Sequence, residues 1–225
     1  MKRPRLPKRL VSMLNHVHCR VLADIGTDHG YTPVAACELG KANFAIACDI
    51  SSESLKKAKK YINEKKLNDR IETRLGSGFD PLSPGEADMA VISGMGGMLI
   101  RDIMYRGLAA VKSLNRIILG PQRDIPALRE SLFEMGIIIQ DEEIILDENI
   151  FYNILICEPG IPAPLTPEGR MFGQALIDKG DPVLRLFLLK LIEKNINICS
   201  HAENKTLEEQ TRLALRVMAQ KGWNS

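Results

Sequence analysis

The sequence predicts an α/β fold: a mostly parallel sheet with helices on both faces, closed by an antiparallel edge and followed by a small C-terminal α-helical hairpin. Three observations carry this. Short apolar runs alternate with helical patterns from residue 21 to residue 135, as repeated strand–helix–strand units do. Two strand-like runs, 137–145 and 151–158, then follow with no helix between them, so they pair with each other at one sheet edge. After the stiff stretch Pro159-Gly-Ile-Pro-Ala-Pro-Leu-Thr-Pro167 every signal is helical. With 225 residues, 45% of them hydrophobic, the chain can bury one α/β core and keep material for an appendage. The expected division is 1–162 for the sheet domain and 163–225 for the helical one.

Each element has a local reason. Leu6, Leu10, Leu14 and Val17 recur at helical spacing, predicting a first helix that docks its apolar side and turns its charges outward. Strand 21–25, a helix over 33–39 and strand 43–49 come next. Ser51 or Ser52 caps a helix over 51–65 that carries Leu55, Ala58 and Ile62 inward. Strand 71–75, a buried run over 87–93, a helix over 98–111, strand 116–119 and a helix over 126–135 complete the alternation. Asp147-Glu-Asn149 is the turn between the two edge strands. In the tail, Leu184, Leu188, Leu191 and Ile198, then Leu207, Leu213 and Val217, stripe two helices parted by the polar stretch 200–205. These stripes are short for a coiled coil between chains, so a monomer or weak dimer is expected.

Composition excludes several classes. The longest apolar runs are too short to span a bilayer, and the basic start has no apolar signal-peptide core; a cytoplasmic chain is expected. Five cysteines, odd in number and without a CxxC pair, fit buried thiols rather than a disulfide framework or a metal site. Net charge is +2, but it is unevenly spread. Residues 1–20 carry Lys2, Arg3, Arg5, Lys8, Arg9 and Arg20 with no acid, a basic arm suited to a polyanion.

The chemistry concentrates at strand ends. Val21-Leu-Ala-Asp-Ile-Gly-Thr-Asp-His-Gly30 is an apolar strand that ends in Asp24 and enters a turn where Gly26 and Gly30 bring backbone close to a ligand. Asp49, followed by Ile50, ends the next apolar run, where nucleotide-binding α/β units keep the carboxylate that holds ribose hydroxyls. A carboxylate at Asp28, in the middle of the turn, would repel a pyrophosphate. A cofactor with one ribose, no phosphate and a positive charge fits better, and S-adenosylmethionine has all three. Asp24 would then hold its ammonium, and Ser77 with Gly78, in Leu75-Gly-Ser-Gly-Phe79, would lie along its adenine. The antiparallel sheet ending is the habit of class I methyltransferases with this Rossmann-like layout rather than of dehydrogenases.

Ser93-Gly-Met-Gly-Gly97 lies at the carboxyl end of the fourth strand, where such enzymes present the acceptor. Gly94 and Gly96 would admit a flat base and Met95 would offer it a polarisable contact. The Asp/Asn/Ser-Pro-Pro-Tyr/Phe signature of exocyclic-amine methylation is missing, and no cysteine stands where carbon-5 pyrimidine chemistry needs one. His29 is a candidate general base or a hydrogen-bonded structural group. Asp28 would face the sulfonium or the substrate, and Tyr31 would stack on a base.

Lys8-Arg-Leu, Ala23-Asp-Ile-Gly-Thr-Asp-His-Gly-Tyr-x-Pro33, Ser93-Gly-Met-Gly-Gly97, Leu128-Arg129, Phe151-Tyr-Asn-Ile154 and the helical tail together resemble the bacterial tRNA (adenine-N1)-methyltransferase family called TrmK. The resemblance implies methylation of adenine 22 in the tRNA D-arm from S-adenosylmethionine, without a metal. It adds catalytic roles for Asp28, His29, Gly94, Met95 and Gly96, and cofactor contacts from Asp28, His29 and Gly94 beside those above. Arg5, Lys8, Arg9 and Tyr31 would contact RNA. Ser77 stands where relatives tend to have Asp or Asn, and Gly120-Pro-Gln122 where they tend to have Gln-Pro-Asn. A small-molecule methyltransferase and a non-catalytic nucleotide-binding module are the alternatives.

Overall fold

Seven strands form a single sheet in the computed structural model, which describes residues 6–223. The strands are β1 (Cys19–Ile25), β2 (Ala42–Asp49), β3 (Ile71–Leu75), β4 (Met89–Met95), β5 (Arg116–Pro121), β6 (Ile137–Asp147) and β7 (Ile150–Pro159). Their order is β3-β2-β1-β4-β5-β7-β6. The first five run parallel, while β7 is antiparallel to both β5 and β6. This is the expected sheet with its antiparallel edge.

Both faces are covered because strand side chains alternate. Leu22, Val91, Ile118 and Ile156 point to the layer of α1 (Lys8–Asn15), α2 (Tyr31–Glu38) and α3 (Ser52–Glu64). Their neighbours Ala23, Ile92, Leu119 and Leu155 point to the layer of α4 (Gly97–Arg106), α5 (Leu108–Lys112) and α6 (Ile125–Glu134). The Ser51 side chain accepts from Ser54 N and caps α3, as its sequence position predicts. The helix expected over 98–111 is instead broken into α4 and α5. Gly107 sits at the break, where an added Cβ would collide with Phe79.

The tail holds more than a hairpin. α9 (Pro182–Cys199) and α10 (Lys205–Gln220) are the predicted pair, preceded by two short helices, α7 (Pro167–Phe172) and α8 (Gln174–Lys179). Phe172, Leu176, Leu184, Leu188, Leu213 and Val217 make a third core, which takes Ile144 from β6. A buried ion pair joins this unit to the sheet. Arg129 of α6 lies 2.8 Å from Glu142 of β6, and its guanidinium also donates to the carbonyls of Arg170 and Met171 at 3.0 Å each. Gly173 crosses directly over the pair; a Cβ there would meet the Glu142 carboxylate and the Arg129 guanidinium. This ion pair is fully enclosed, and losing one partner would leave the other charge buried and unpaired.

Candidate active site

In open α/β sheets ligands bind at the carboxyl ends of the strands, where the connections diverge to opposite faces. Here that place lies between β1 and β4, and a cleft of about 460 Å³ opens there. Its walls are the turn after β1, the ends of β4 and β5, the start of β7, and α1.

The turn after β1 is held by its neighbour strand. Gly26 N and Thr27 N both donate to Cys48 O, at 2.8 and 3.0 Å. Gly26 has φ +78°, Asp28 +46° and Gly30 +74°, so three residues in five take the left-handed region, two of them glycines. Gly30 also lets the turn approach α3, since a Cβ there would come within 3.2 Å of Ala58 Cβ. Asp24, only 3% exposed, reaches the cleft from below. Its Oδ2 is buried without a hydrogen-bond partner. Burial, with the negative charge of Asp49 adding to it, pushes the Asp24 carboxyl up to about 7.

Asp49 braces the same turn. One oxygen accepts from Asp28 N at 3.0 Å and the other from Ser51 N at 2.8 Å, which leaves lone pairs on both. Gly76 N donates to Asp49 O at 3.0 Å and ties the loop after β3 to this point. Gly78 has φ +56°, and a Cβ there would approach Ile103 to 2.8 Å. Asp49, Ile50, Ser77 and Gly78 do not line the 460 Å³ cleft itself; they extend from it along the ends of β2 and β3.

On the other side of the turn, His29 lies 3.4 Å from the Asp28 carboxylate and stacks on Tyr31 at 5.4 Å between ring centroids. Tyr31 meets Tyr61 of α3 edge-on at 5.2 Å.

The glycines after β4 do different jobs. Gly94 has φ +77°, lines the cleft, and would have nothing within 4 Å of an added Cβ. Gly96 faces the Arg123 side chain, and a Cβ at Gly97 would lie 2.7 Å from Asp124 O. Met95 and Gly96, expected to border the acceptor, are not among the residues that line the cleft. Met95 packs on the core under Gly26, where a Cβ at Gly26 would strike its methyl group; alternation is broken by the irregularity between Ser93 and Met95, where Gly94 takes φ +77°, so Met95 returns to the face of Ile92.

Residues 6–155 match the family described as Methyltransferase domain. The tRNA (adenine(22)-N(1))-methyltransferase of Bacillus subtilis (strain 168) is 35% identical over 161 residues, 71% of this chain and 68% of that protein. The chain belongs to the tRNA (adenine(22)-N(1))-methyltransferase family. A putative tRNA (m1A22) methyltransferase of Streptococcus pneumoniae, solved in complex with S-adenosyl-L-methionine, superimposes with a TM-score of 0.88 at 28% identity, covering 95% of this chain and 99% of that one. The B. subtilis m1A22 tRNA methyltransferase TrmK gives 0.80 at 27% identity, with 97% and 98% covered.

Within this tRNA methyltransferase family member, the basic arm is less free than its sequence implies. Arg5 lies outside the described residues. Lys8 turns away from the cleft and pairs with Asp147 of β6 at 3.7 Å. The same helix is tied to β6 again through Ser12 and His16, which both bond Glu143. Arg9 does reach the cleft, its guanidinium 5.1 Å from the centre of the Tyr152 ring. Four further cleft residues were given no individual role from sequence: Ser93, Gln122, Tyr152 and Asn153. Three of them stand at the end of β5 or the start of β7, and only the antiparallel return of β7 along β5 brings those segments together. Among the described residues no cluster of His, Cys, Asp and Glu could hold a metal ion. All five cysteines are free thiols, with Cys37, Cys48 and Cys157 buried and Cys19 and Cys199 half-buried.

Proposed function

We propose that this chain transfers a methyl group from S-adenosylmethionine to N1 of adenine 22 in tRNA. The observation that carries the reading is Asp24: an enclosed carboxylate with an orphaned oxygen, opening into the same cleft as the unobstructed Gly94. A buried carboxylate with an unsatisfied oxygen is costly and fits a cationic ligand group. When bound, S-adenosylmethionine supplies an electrophilic methyl group on a sulfonium.

The chain's own residues bind and orient. Asp24 holds the ammonium, and Asp49 accepts from ribose hydroxyls with the lone pairs its backbone partners leave free. The loop carrying Ser77 and Gly78 lies along the cofactor adenine, and Ile50, highly exposed next to Asp49, covers the ribose edge. The acceptor base enters over Gly94, between Ser93 and the Tyr152–Asn153 pair.

Neutral adenine carries an in-plane lone pair on N1, so no base has to create the nucleophile and positioning supplies most of the rate. His29, held between Asp28 and Tyr31, orients rather than removes a proton. The amides of Asn153 and Gln122 suit the N7 and amine edge of adenine, whose acceptor–donor pattern guanine does not share. Reading that edge leaves N1 free. The base has to leave its stack to reach the cleft, while Arg9 and the 163–225 unit hold the tRNA backbone.

We place the reaction in the cytoplasm, performed by a monomer or weak dimer; no described helix is long and apolar enough to cross a membrane. The test is transfer of labelled methyl from S-adenosylmethionine to separate pools of tRNA, rRNA and small metabolites. Label enters tRNA. Label confined to small metabolites would refute the reading.

A further inference from the structure

Of the described cations of α1, Lys8 pairs with Asp147 away from the cleft, which leaves Arg9, against the Tyr152 ring, to reach it. The edge α1 leans on, β6, has no Lys or Arg, and its acids are all engaged: Glu142 is buried against Arg129, Asp141 pairs with Lys179, Glu143 bonds Ser12 and His16, and Asp147 pairs with Lys8. That strand offers a phosphodiester no cation of its own. The opposite wall is different. α3 carries Lys56, Lys57, Lys59 and Lys60 against Glu53 and Glu64. Lys56 pairs with Glu53 at 2.6 Å, whereas Lys57, Lys59 and Lys60 are exposed and have no acidic partner among the described residues.

Helix geometry places one of these lysines, Lys57, beside the cleft. Leu55, Ala58 and Ile62 face the core, and the row beside them is Ser54, Lys57 and Tyr61, spaced i, i+3, i+7. Both ends of that row touch the glycine turn. Ser54 Oγ donates to Asp28 Oδ1 at 3.4 Å, and the Tyr61 ring meets Tyr31 edge-on. Lys57 lies between these two contacts, and Lys60, three residues on and at the solvent face of α3, continues the positive charge outward. Tyr31 itself is 48% exposed and has His29 stacked on one side.

We propose that this lip of the cleft, Lys57 and Lys60 with the Tyr31–Tyr61 pair, is an RNA-contact strip for the nucleotide adjoining the methylated adenine. The unpaired neighbouring base packs on the exposed part of Tyr31, and the two ammonium groups take the phosphates that follow. Aromatic faces bordered by cations are how proteins hold a single strand without reading its sequence. The strand therefore leaves the cleft across α3 and not across β6. This inference rests on the proposed tRNA reaction.

The experiment measures tRNA binding as a function of salt for the full chain and for the double variant Lys57→Gln/Lys60→Gln, with methyl transfer by the full chain recorded in parallel. Two lost contacts to a single strand lower the salt slope by about 1.4, at about 0.7 each, and tRNA affinity falls at moderate salt. Lys59→Gln, on the flank of the same helix away from Tyr61, leaves the slope unchanged. An unchanged slope in the double variant, in a preparation whose parent methylates tRNA, overturns the strip alone. An equal loss from Lys59→Gln also overturns it, by showing a diffuse charge effect. A parent that transfers no methyl to tRNA overturns the reaction and the strip together.

Discussion

Asp24→Asn weakens S-adenosylmethionine binding at pH 8 by about 1.5–3 kcal/mol, roughly 10- to 150-fold, the range for a hydrogen bond to a charged group. The ammonium requires the ionised carboxylate, and burial holds the Asp24 carboxyl up to about 7 in the cofactor-free protein. Parent affinity therefore climbs as pH rises through 7 and levels above it, whereas the variant shows no such climb. Stability of the cofactor-free protein moves the other way. Between the ordinary carboxylate range and pH 7 the folded chain keeps a proton that the unfolded chain has lost. The contribution of Asp24 is therefore fully present at low pH and is lost as pH rises through about 7. Asparagine lacks this penalty, so the variant gains melting temperature relative to the parent between pH 5.5 and pH 8. Calorimetric titration and thermal melts at both pH values check the pair of effects. Equal affinity of variant and parent at pH 8 would remove Asp24 from the ammonium site.

Gly94→Val reduces methyl transfer by roughly 100-fold or more, the loss that follows from misplacing a reacting group by about 1 Å, while cofactor binding persists. The added side chain would enter open cleft space, since no atom lies within 4 Å of its Cβ. Gly94 also has φ +77°, where a branched residue costs about 1–3 kcal/mol, so stability falls as well. Gly94→Asn separates the two causes, because asparagine tolerates this backbone region. It keeps the fold and still obstructs the base. Gly96→Val has the smaller effect on transfer, because its side chain displaces the flexible Arg123 instead. Steady-state kinetics with tRNA, beside calorimetry with the cofactor, read these differences. A fully active Gly94→Asn variant would mean that the base enters elsewhere.

What was legible from sequence is what depends on local pattern. Strand 71–75 is β3 to the residue, and the unbroken pair of edge strands gave away the antiparallel close because no helix period separates them. The turn after β1 and the acid ending β2 were visible because carboxylates and glycines at strand ends have few other uses. What was not legible depends on contacts between distant residues. α7 and α8 have six residues each, too few to show a period, and no local pattern around Arg129 shows that Glu142 and the α7 carbonyls enclose it. The pairing of Lys8 with Asp147 spans 139 positions, so the basic arm looked freer than it is. Gly94 lines the cleft while its neighbour Met95 packs on the core, because β4 is irregular between Ser93 and Met95, which a glycine-rich string does not reveal. Tyr61 sits on a helix whose inward face was read correctly, but its partner Tyr31 belongs to another element.

The most direct measurement is nucleoside mass spectrometry of unmodified tRNA after incubation with the full chain and S-adenosylmethionine. The account predicts 1-methyladenosine at position 22, and almost no methyl accepted by a tRNA in which that adenine is replaced by guanine. N6-methyladenosine, or methylation unaffected by the replacement, would contradict in-plane attack by N1 at this base.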